Sequence, residues 1–189
     1  MKSQDKKKLS KYMSLLLRHK PGDLELDSRG CCKLDDLLKK LNAKMKFSVS
    51  KQDVISLTRP SKDPKVKTRF ELEGGYIRAG HGHSIEVEGY TEILPDKPIY
   101  HATTEEALKD IKKSGLCAMN RQKVHLSYDK DITIEAARRR SRHVVLIEVA
   151  ISHARYKGVK FYKSADDRIV LSDDIPFECL ILDGDKKNV

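Results

Sequence analysis

A chain of 189 residues, 39% of them hydrophobic, is long enough to bury one core or two small ones without staples. Lys and Arg outnumber Asp and Glu by 38 to 28, and the resulting charge of +10 favours polyanionic partners. The four cysteines, Cys31, Cys32, Cys117 and Cys179, form no CxxC pair and precede no finger-like His spacing. That excludes an encoded zinc site or disulfide framework and leaves Cys31 and Cys32 as packing residues. No run approaches the roughly 20 apolar residues that span a bilayer. The opening MKSQDKKKLS lacks an apolar run of signal-peptide length, so a cytoplasmic, reducing setting is expected.

In chain order, Leu9, Tyr12, Met13, Leu16 and Leu17 recur at i, i+3, i+4, i+7 and i+8 and predict an amphipathic helix, which Pro21 and Gly22 end. Leu34, Leu37, Leu38 and Leu41 predict a second helix. Ser50 with Asp53 reads as a variant capping box opening a third helix, through Val54 and Leu57. The period then shortens: 68–72 and 76–78 read as strands around Glu73-Gly74-Gly75, a hairpin signal. Three helices followed by a hairpin is the layout of a winged helix, so residues 1–90 are expected to form such a lobe.

Pro95 and Pro98 lie in a polar stretch, 91–98, that reads as a linker. Beyond it, strands are expected at 99–101, 124–127, 143–151, 160–162, 169–171 and 178–182. A helix through Ala107, Leu108 and Ile111 should stop at Gly115, and a basic helical stretch is expected near 134–140. The fold class is thus α+β, with a strand-rich second half over 99–189. Positive charge gathers at Lys2, Lys6, Lys7, Lys8, Lys11, Arg18 and Lys20, and again at Arg138, Arg139, Arg140 and Arg142. Two such patches suggest a groove.

The usual nucleotide signatures are missing. There is no GxxxxGK[ST], and Gly80-His81-Gly82 lacks its third Gly, because position 85 is Ile85, so P-loop and Rossmann readings fail. What remains is Arg and His beside turns and strand ends. Taken singly, each has a plain explanation: Arg18-His19 as cations at a helix C-terminus, where the dipole favours them by about 0.3–1 kcal/mol; Lys67-Thr68-Arg69-Phe70 as a strand edge; the run Arg138 to Arg142 as a solvated helix end.

In order, however, the motifs carry a resemblance. Leu9-Ser10-Lys11-Tyr12-Met13-Ser14-Leu15-Leu16-Leu17-Arg18-His19-Lys20-Pro21 is followed by Leu26-Asp27-Ser28-Arg29-Gly30, Lys67-Thr68-Arg69-Phe70 and Ile77-Arg78-Ala79-Gly80-His81-Gly82-His83-Ser84. Then come Tyr100-His101-Ala102-Thr103, Val124-His125-Leu126-Ser127, Arg139-Arg140-Ser141 before Val144, and Phe161-Tyr162-Lys163-Ser164. This series resembles the tRNA 2′-phosphotransferase family, also called KptA, over roughly residues 9 to 180. The resemblance implies a winged-helix lobe followed by a lobe of the ADP-ribosyltransferase type. It also implies a two-step reaction. An internal RNA 2′-phosphate attacks C1″ of NAD⁺ and expels nicotinamide; the ribose 2″-hydroxyl then takes that phosphate, leaving 2′-hydroxyl RNA and ADP-ribose 1″,2″-cyclic phosphate. Arginine forks suit phosphate oxygens in such chemistry better than carboxylates would.

Carried over by position, the resemblance implies a catalytic set of Arg18, His19, Arg69 and Arg139. The last is reached by counting back from Val144, with a neighbouring Arg as the alternative. Lys67, His83 and Ser84 are expected to meet RNA phosphates; His101, Thr103, His125 and Ser127 are expected to hold NAD. No metal is implied. The departures are Ala102 for a Gly, Lys123 for a His, and His81 for a Gln. Expected partners are RNA bearing a 2′-phosphate, of the tRNA splice-junction kind, and NAD, with no membrane and a monomeric chain. Two rivals stand beside this reading: an ADP-ribosyltransferase acting on nucleic-acid phosphates, and a winged-helix RNA binder without catalysis.

Overall fold

The computed structural model describes residues 1–60 and 66–182, and its contacts divide the chain into two units, Met1–Gly89 and Tyr90–Val189. Both mix helices with an antiparallel sheet, and the described residues form six α-helices in all.

In the first unit, helix α1 (Ser3–Arg18) buries Leu9, Met13, Leu16 and Leu17, the face its periodicity marked. Helix α2 (Leu34–Lys44) adds Leu34, Leu37 and Leu41, and α3 (Lys51–Thr58) adds Val54. The capping box at α3 forms in both directions: the Asp53 N–H donates to Ser50 Oγ at 3.2 Å, and the Ser50 N–H to the Asp53 carboxylate at 3.0 Å. Strands β2 (Phe70–Glu73) and β3 (Tyr76–Ala79) pair through the Gly74-Gly75 turn, whose two positive φ angles match the right-handed twist of a tight hairpin.

A strand that no sequence pattern announced, β1 (Cys32–Lys33), pairs with β3, so the small sheet has the order β1-β3-β2. Its consequence is local: the Gly75 carbonyl accepts the first N–H of α2, from Leu34, at 2.9 Å, in place of a side-chain cap. Cys32 is buried in the core as a packing residue, whereas Cys31 is only partly covered. Near the end of α2, the Asn42 carboxamide holds the loop before α3, accepting from the Val49 N–H and donating to the Val49 carbonyl, both at 2.9 Å.

In the second unit, seven strands form one antiparallel sheet. In chain order they are β4 (Glu92–Ile93), β5 (Tyr100–Thr104), β6 (Val124–Ser127), β7 (Val144–Val149), β8 (Phe161–Lys163), β9 (Ile169–Ser172) and β10 (Leu180–Leu182); the spatial order is β10-β7-β5-β6-β9-β8-β4. Helix α4 (Glu105–Ser114) is capped by Thr104 and ends at Gly115, and α5 (Lys130–Arg138) begins under the Asp129 carboxylate, earlier than the basic run suggested. Ile99, Val124, Leu126, Ile147, Phe161 and Val170 are among the residues of its core.

Three stretches differ from expectation. The span read as a linker, 91–98, contains β4, which pairs with β8 and adds an edge to the sheet. The strand expected to reach Ile151 stops at Val149; Ile151–Tyr156 forms helix α6, held by burial of Ala154, which overrides the β-branched character of Ile151. Phe177–Cys179 is a 3₁₀ turn, closed by the Cys179 N–H donating to the Pro176 carbonyl at 3.0 Å, so the last strand starts only at Leu180. Among the described residues no helix is long and apolar enough to cross a membrane.

Candidate functional site

The first unit gathers residues from three places. Helix α1 delivers Arg18 and His19 at its C-terminal end, the approach to β2 delivers Lys67 and Arg69, and the segment after β3 delivers His81, His83 and Ser84. Arg18, His19, Arg69 and Ser84 meet because the 80–85 segment docks on the end of α1. The carbonyl of Arg18, which the helix leaves without an intrahelical donor, accepts the Ser84 N–H at 2.9 Å and the Ile85 N–H at 3.2 Å. The Gly80 N–H donates to the Arg69 carbonyl at 3.0 Å, tying the same segment to β2.

The side chains then interlock. The Ser84 hydroxyl lies 2.9 Å from His19 Nδ1 and 3.4 Å from the Arg18 carbonyl. A carbonyl only accepts, so this hydroxyl donates to it and can take the His19 Nδ1–H. Arg18 Nη2 donates to the Arg69 carbonyl at 3.5 Å, and its guanidinium carbon stands 6.0 Å from the centre of the Phe70 ring. Arg69 Nη1 donates to Ser10 Oγ at 3.2 Å, two turns back along α1. Gly82 passes so close that a Cβ there would sit 3.4 Å from Arg18 Nη1. His19, Arg69 and Ser84 remain exposed, giving a cationic surface with donors already aimed.

His83, expected to meet an RNA phosphate, is only 3% exposed. Burial first, then the charges of Arg18, Arg78 and His19, hold its imidazole down to about 4, so it is neutral near pH 7. It lies beneath the 27–31 turn, in which Asp27 Oδ1 accepts the N–H groups of Arg29 and Cys31 at 2.9 and 2.8 Å. That turn in turn accepts the Glu88 N–H at the Ser28 carbonyl, 2.7 Å. The Leu26 to Gly30 motif therefore supports the segment that carries Ser84. His81 is also buried, with Nε2–H donating to the Thr68 carbonyl at 3.3 Å.

In the second unit the candidate residues sit on adjoining strands. β5 and β6 are registered only at Tyr100 and Ser127, and beyond that pair the ladder opens. The His101 side chain fills the gap: its Nδ1–H donates to the His125 carbonyl at 3.1 Å, and His125 Nδ1–H donates to the Lys123 carbonyl at 3.1 Å. Burial, chiefly, and the Arg140 and Arg121 charges lower the pKa of His101, against the hydrogen bond to His125, which raises it. A neutral ring with Nδ1 donating presents Nε2 as an acceptor. Thr103 lies buried two residues along the same strand.

Arg121, which no motif marked, and Arg140, a neighbour of the expected Arg139, stand near His101. Both act on His101, and burial together with Arg140 lowers the pKa of Arg121. Arg139 is the exposed C-cap of α5, one residue before Arg140. The Ser127 hydroxyl donates to the Arg168 carbonyl at 2.8 Å and accepts the Asp129 N–H at 3.1 Å. Lys123 is likewise committed. It pairs with Asp173 at 2.6 Å and lies 4.3 Å above the Tyr162 ring. Burial alone would lower its pKa, but the hydrogen bond and charge of Asp173 prevail and raise it.

Comparison with known proteins places these residues in context. The family model described as "RNA 2′-phosphotransferase, Tpt1 / KptA family" matches residues 4–174. A protein of Archaeoglobus fulgidus named "Probable RNA 2′-phosphotransferase 2" is 39% identical over 165 residues, covering 85% of this chain and 73% of that one. A "Probable RNA 2′-phosphotransferase" of Acetivibrio thermocellus is 37% identical over 176 residues, 91% of this chain and 94% of the other. One of the same name from Thermococcus kodakarensis is 34% identical over 181 residues, 94% and 97% respectively.

Proposed function

The chain belongs to the RNA 2′-phosphotransferase (Tpt1/KptA) family, and on that premise we propose that it removes an internal 2′-phosphate from RNA, with NAD as co-substrate. The observation that carries this reading is the cluster of Arg18, His19, Arg69 and Ser84 on one face of the first unit. A 2′-phosphate has three non-bridging oxygens whose charge must be met as the phosphoryl group changes partners, and the two guanidinium groups, with His19 and Ser84 beside them, supply donors for them.

In this reading the first unit is a winged-helix lobe that grips RNA, and the second is an ADP-ribosyltransferase-like lobe that holds NAD. The donor set of the second unit suits a nucleotide. The acceptor nitrogen of neutral His101 matches a ribose hydroxyl, and the Arg121 and Arg140 guanidiniums match a pyrophosphate. Thr103 and His125 border that place, and Arg139 or Arg140 reaches the reacting ribose and phosphate. NAD supplies the ribose carbon that accepts the phosphate. Around it, this chain's residues bind both partners, shield the phosphate charge and hold the His19 proton on Nδ1 against Ser84. The route runs through ADP-ribosylated RNA to 2′-hydroxyl RNA, nicotinamide and ADP-ribose 1″,2″-cyclic phosphate. A cytoplasmic monomer acting on tRNA splice junctions is the setting that goes with it.

The test is to incubate the protein with a short RNA carrying one internal 2′-phosphate, with and without NAD⁺, and to resolve RNA and nucleotide products. Conversion to 2′-hydroxyl RNA with a cyclic ADP-ribose phosphate, only when NAD⁺ is present, is expected. Unchanged RNA with intact NAD⁺ would refute the reading, and stalled ADP-ribosylated RNA would favour the ADP-ribosyltransferase alternative.

A further inference from the structure

The exposed face of α1 carries Lys8, Lys11 and Leu15. Lys8, Tyr12 and Leu15 stand at i, i+4 and i+7, with Tyr12 partly buried against the first unit's core, and continuing the same stripe reaches His19 at i+11. With Lys11 and Ser14 alongside, these residues are the described lining of a groove of about 470 Å³. Leu15 is 40% exposed, unusual for a leucine on a helix whose other leucines are buried. The helix's only carboxylate, Asp5, lies outside the lining, toward the N-terminus. From Lys8 to His19 the stripe rises about 16 Å, so it leads from open surface to the candidate phosphate site.

We infer that this stripe is a subsite for the single-stranded RNA that flanks the phosphorylated nucleotide, with Lys8 and Lys11 neutralising backbone phosphates and Tyr12 and Leu15 receiving an unstacked base. The inference rests on the proposed function for the position of the reacting nucleotide at His19. Cations alternating with apolar surface fit a single strand, which presents both a charged backbone and bare base faces; a duplex hides the second. One exposed leucine is too small an apolar face to insert into lipid, which argues against the anionic membrane surface as occupant.

The test uses the full chain and fluorescence anisotropy with a labelled 12-nucleotide single-stranded RNA lacking any 2′-phosphate. Lys8→Gln with Lys11→Gln should weaken binding about 10-fold at low salt and reduce the slope of log affinity against log salt by about 1.4, roughly 0.7 for each lost phosphate contact. The charge-matched pair Lys44→Gln with Lys46→Gln, exposed at the far end of α2, should change affinity less than twofold. In turnover, the Lys8/Lys11 variant should lose activity on a long 2′-phosphorylated RNA and keep it on a 2′-phosphorylated dinucleotide. Equal loss on both lengths, equal effects of the two charge pairs, no RNA binding by the unaltered protein, or a loss seen with anionic vesicles instead of RNA would each overturn the inference. Stripe-dependent RNA binding without NAD-dependent dephosphorylation would refute the proposed reaction and leave the subsite standing; turnover with an indifferent stripe would do the reverse.

Discussion

The two units prepare their candidate sites in opposite ways. In the first, the residues are charged and exposed, and they are held indirectly, through backbone bonds between the end of α1 and the segment after the hairpin. In the second, the key groups are imidazoles held directly by strand carbonyls, with His101 kept neutral chiefly by burial. The difference follows what each would bind. A phosphate rewards standing positive charge at the surface, whereas a ribose hydroxyl rewards a fixed, uncharged acceptor in a drier place.

The sharpest break in this comparison would come from Arg69→Ala, expected to lower turnover by about 10²–10³-fold, as for loss of one transition-state donor, while leaving NAD affinity unchanged. ADP-ribosylated RNA should accumulate in this variant and in His19→Ala, whereas Arg139→Ala should slow nicotinamide release instead; product analysis in single turnover separates the two. The opposite pattern would mean that the units have exchanged roles.

A second test attacks only the second unit. Gly115 has φ +76, and a Cβ there would collide with the Ile175 carbonyl oxygen and stand 3.0 Å from Pro176 Cα, at the bridge where Leu116 and Ile175 exchange hydrogen bonds of 2.8 and 2.9 Å. Gly115→Ala should destabilise the fold by about 3 kcal/mol or more, read by denaturant unfolding. Tertiary signals from the first unit should survive at denaturant concentrations that unfold the second.

The third prediction concerns pH and the first unit. An unfolded His83 takes its proton near 6.5, but the folded one only near 4, because burial and the neighbouring charges oppose it. Its contribution is therefore complete above about pH 6.5 and is lost as pH falls from 6.5 to 4, to a total of about 3 kcal/mol. His83→Asn should flatten the pH dependence of stability in that window. An unchanged slope would show that the ring is not buried in solution. The smallest effect should come from Ser50→Ala, which removes the capping box of α3 and should cost about 1 kcal/mol, without altering the unfolding of the second unit.

Much of the fold was legible because it rests on local physics. The spacing of Leu9, Met13, Leu16 and Leu17, the Ser50/Asp53 pair and the Gly74-Gly75 turn each encode their element within a few residues. The strand β4 was not legible, because a two-residue strand shortly before Pro95 acquires its identity only from pairing with β8. α6 was hidden for a similar reason: Ile151 looks like strand continuation until the burial of Ala154 is known. At the candidate sites, the order of motifs picked out Arg18, His19 and Arg69, which lie together in the structure, and His101 and His125, which are joined by a hydrogen bond. It could not separate Ser84, which faces His19, from His83, which is buried one residue away.

The sequence by itself determined the family, the helical and hairpin elements of the first unit and the residue types available for phosphate and nucleotide, since these depend on side chains and near neighbours. Only the tertiary structure decided which residues meet. It brought Ser84 to His19 across 65 positions of chain and Arg69 to Ser10 across 59. It also set Arg140 and Arg121 near His101, and gave Ser127 and Lys123 partners in Arg168 and Asp173. The reason is that buried polar groups take whichever partners folding leaves within reach, and that choice is made between elements far apart in the chain.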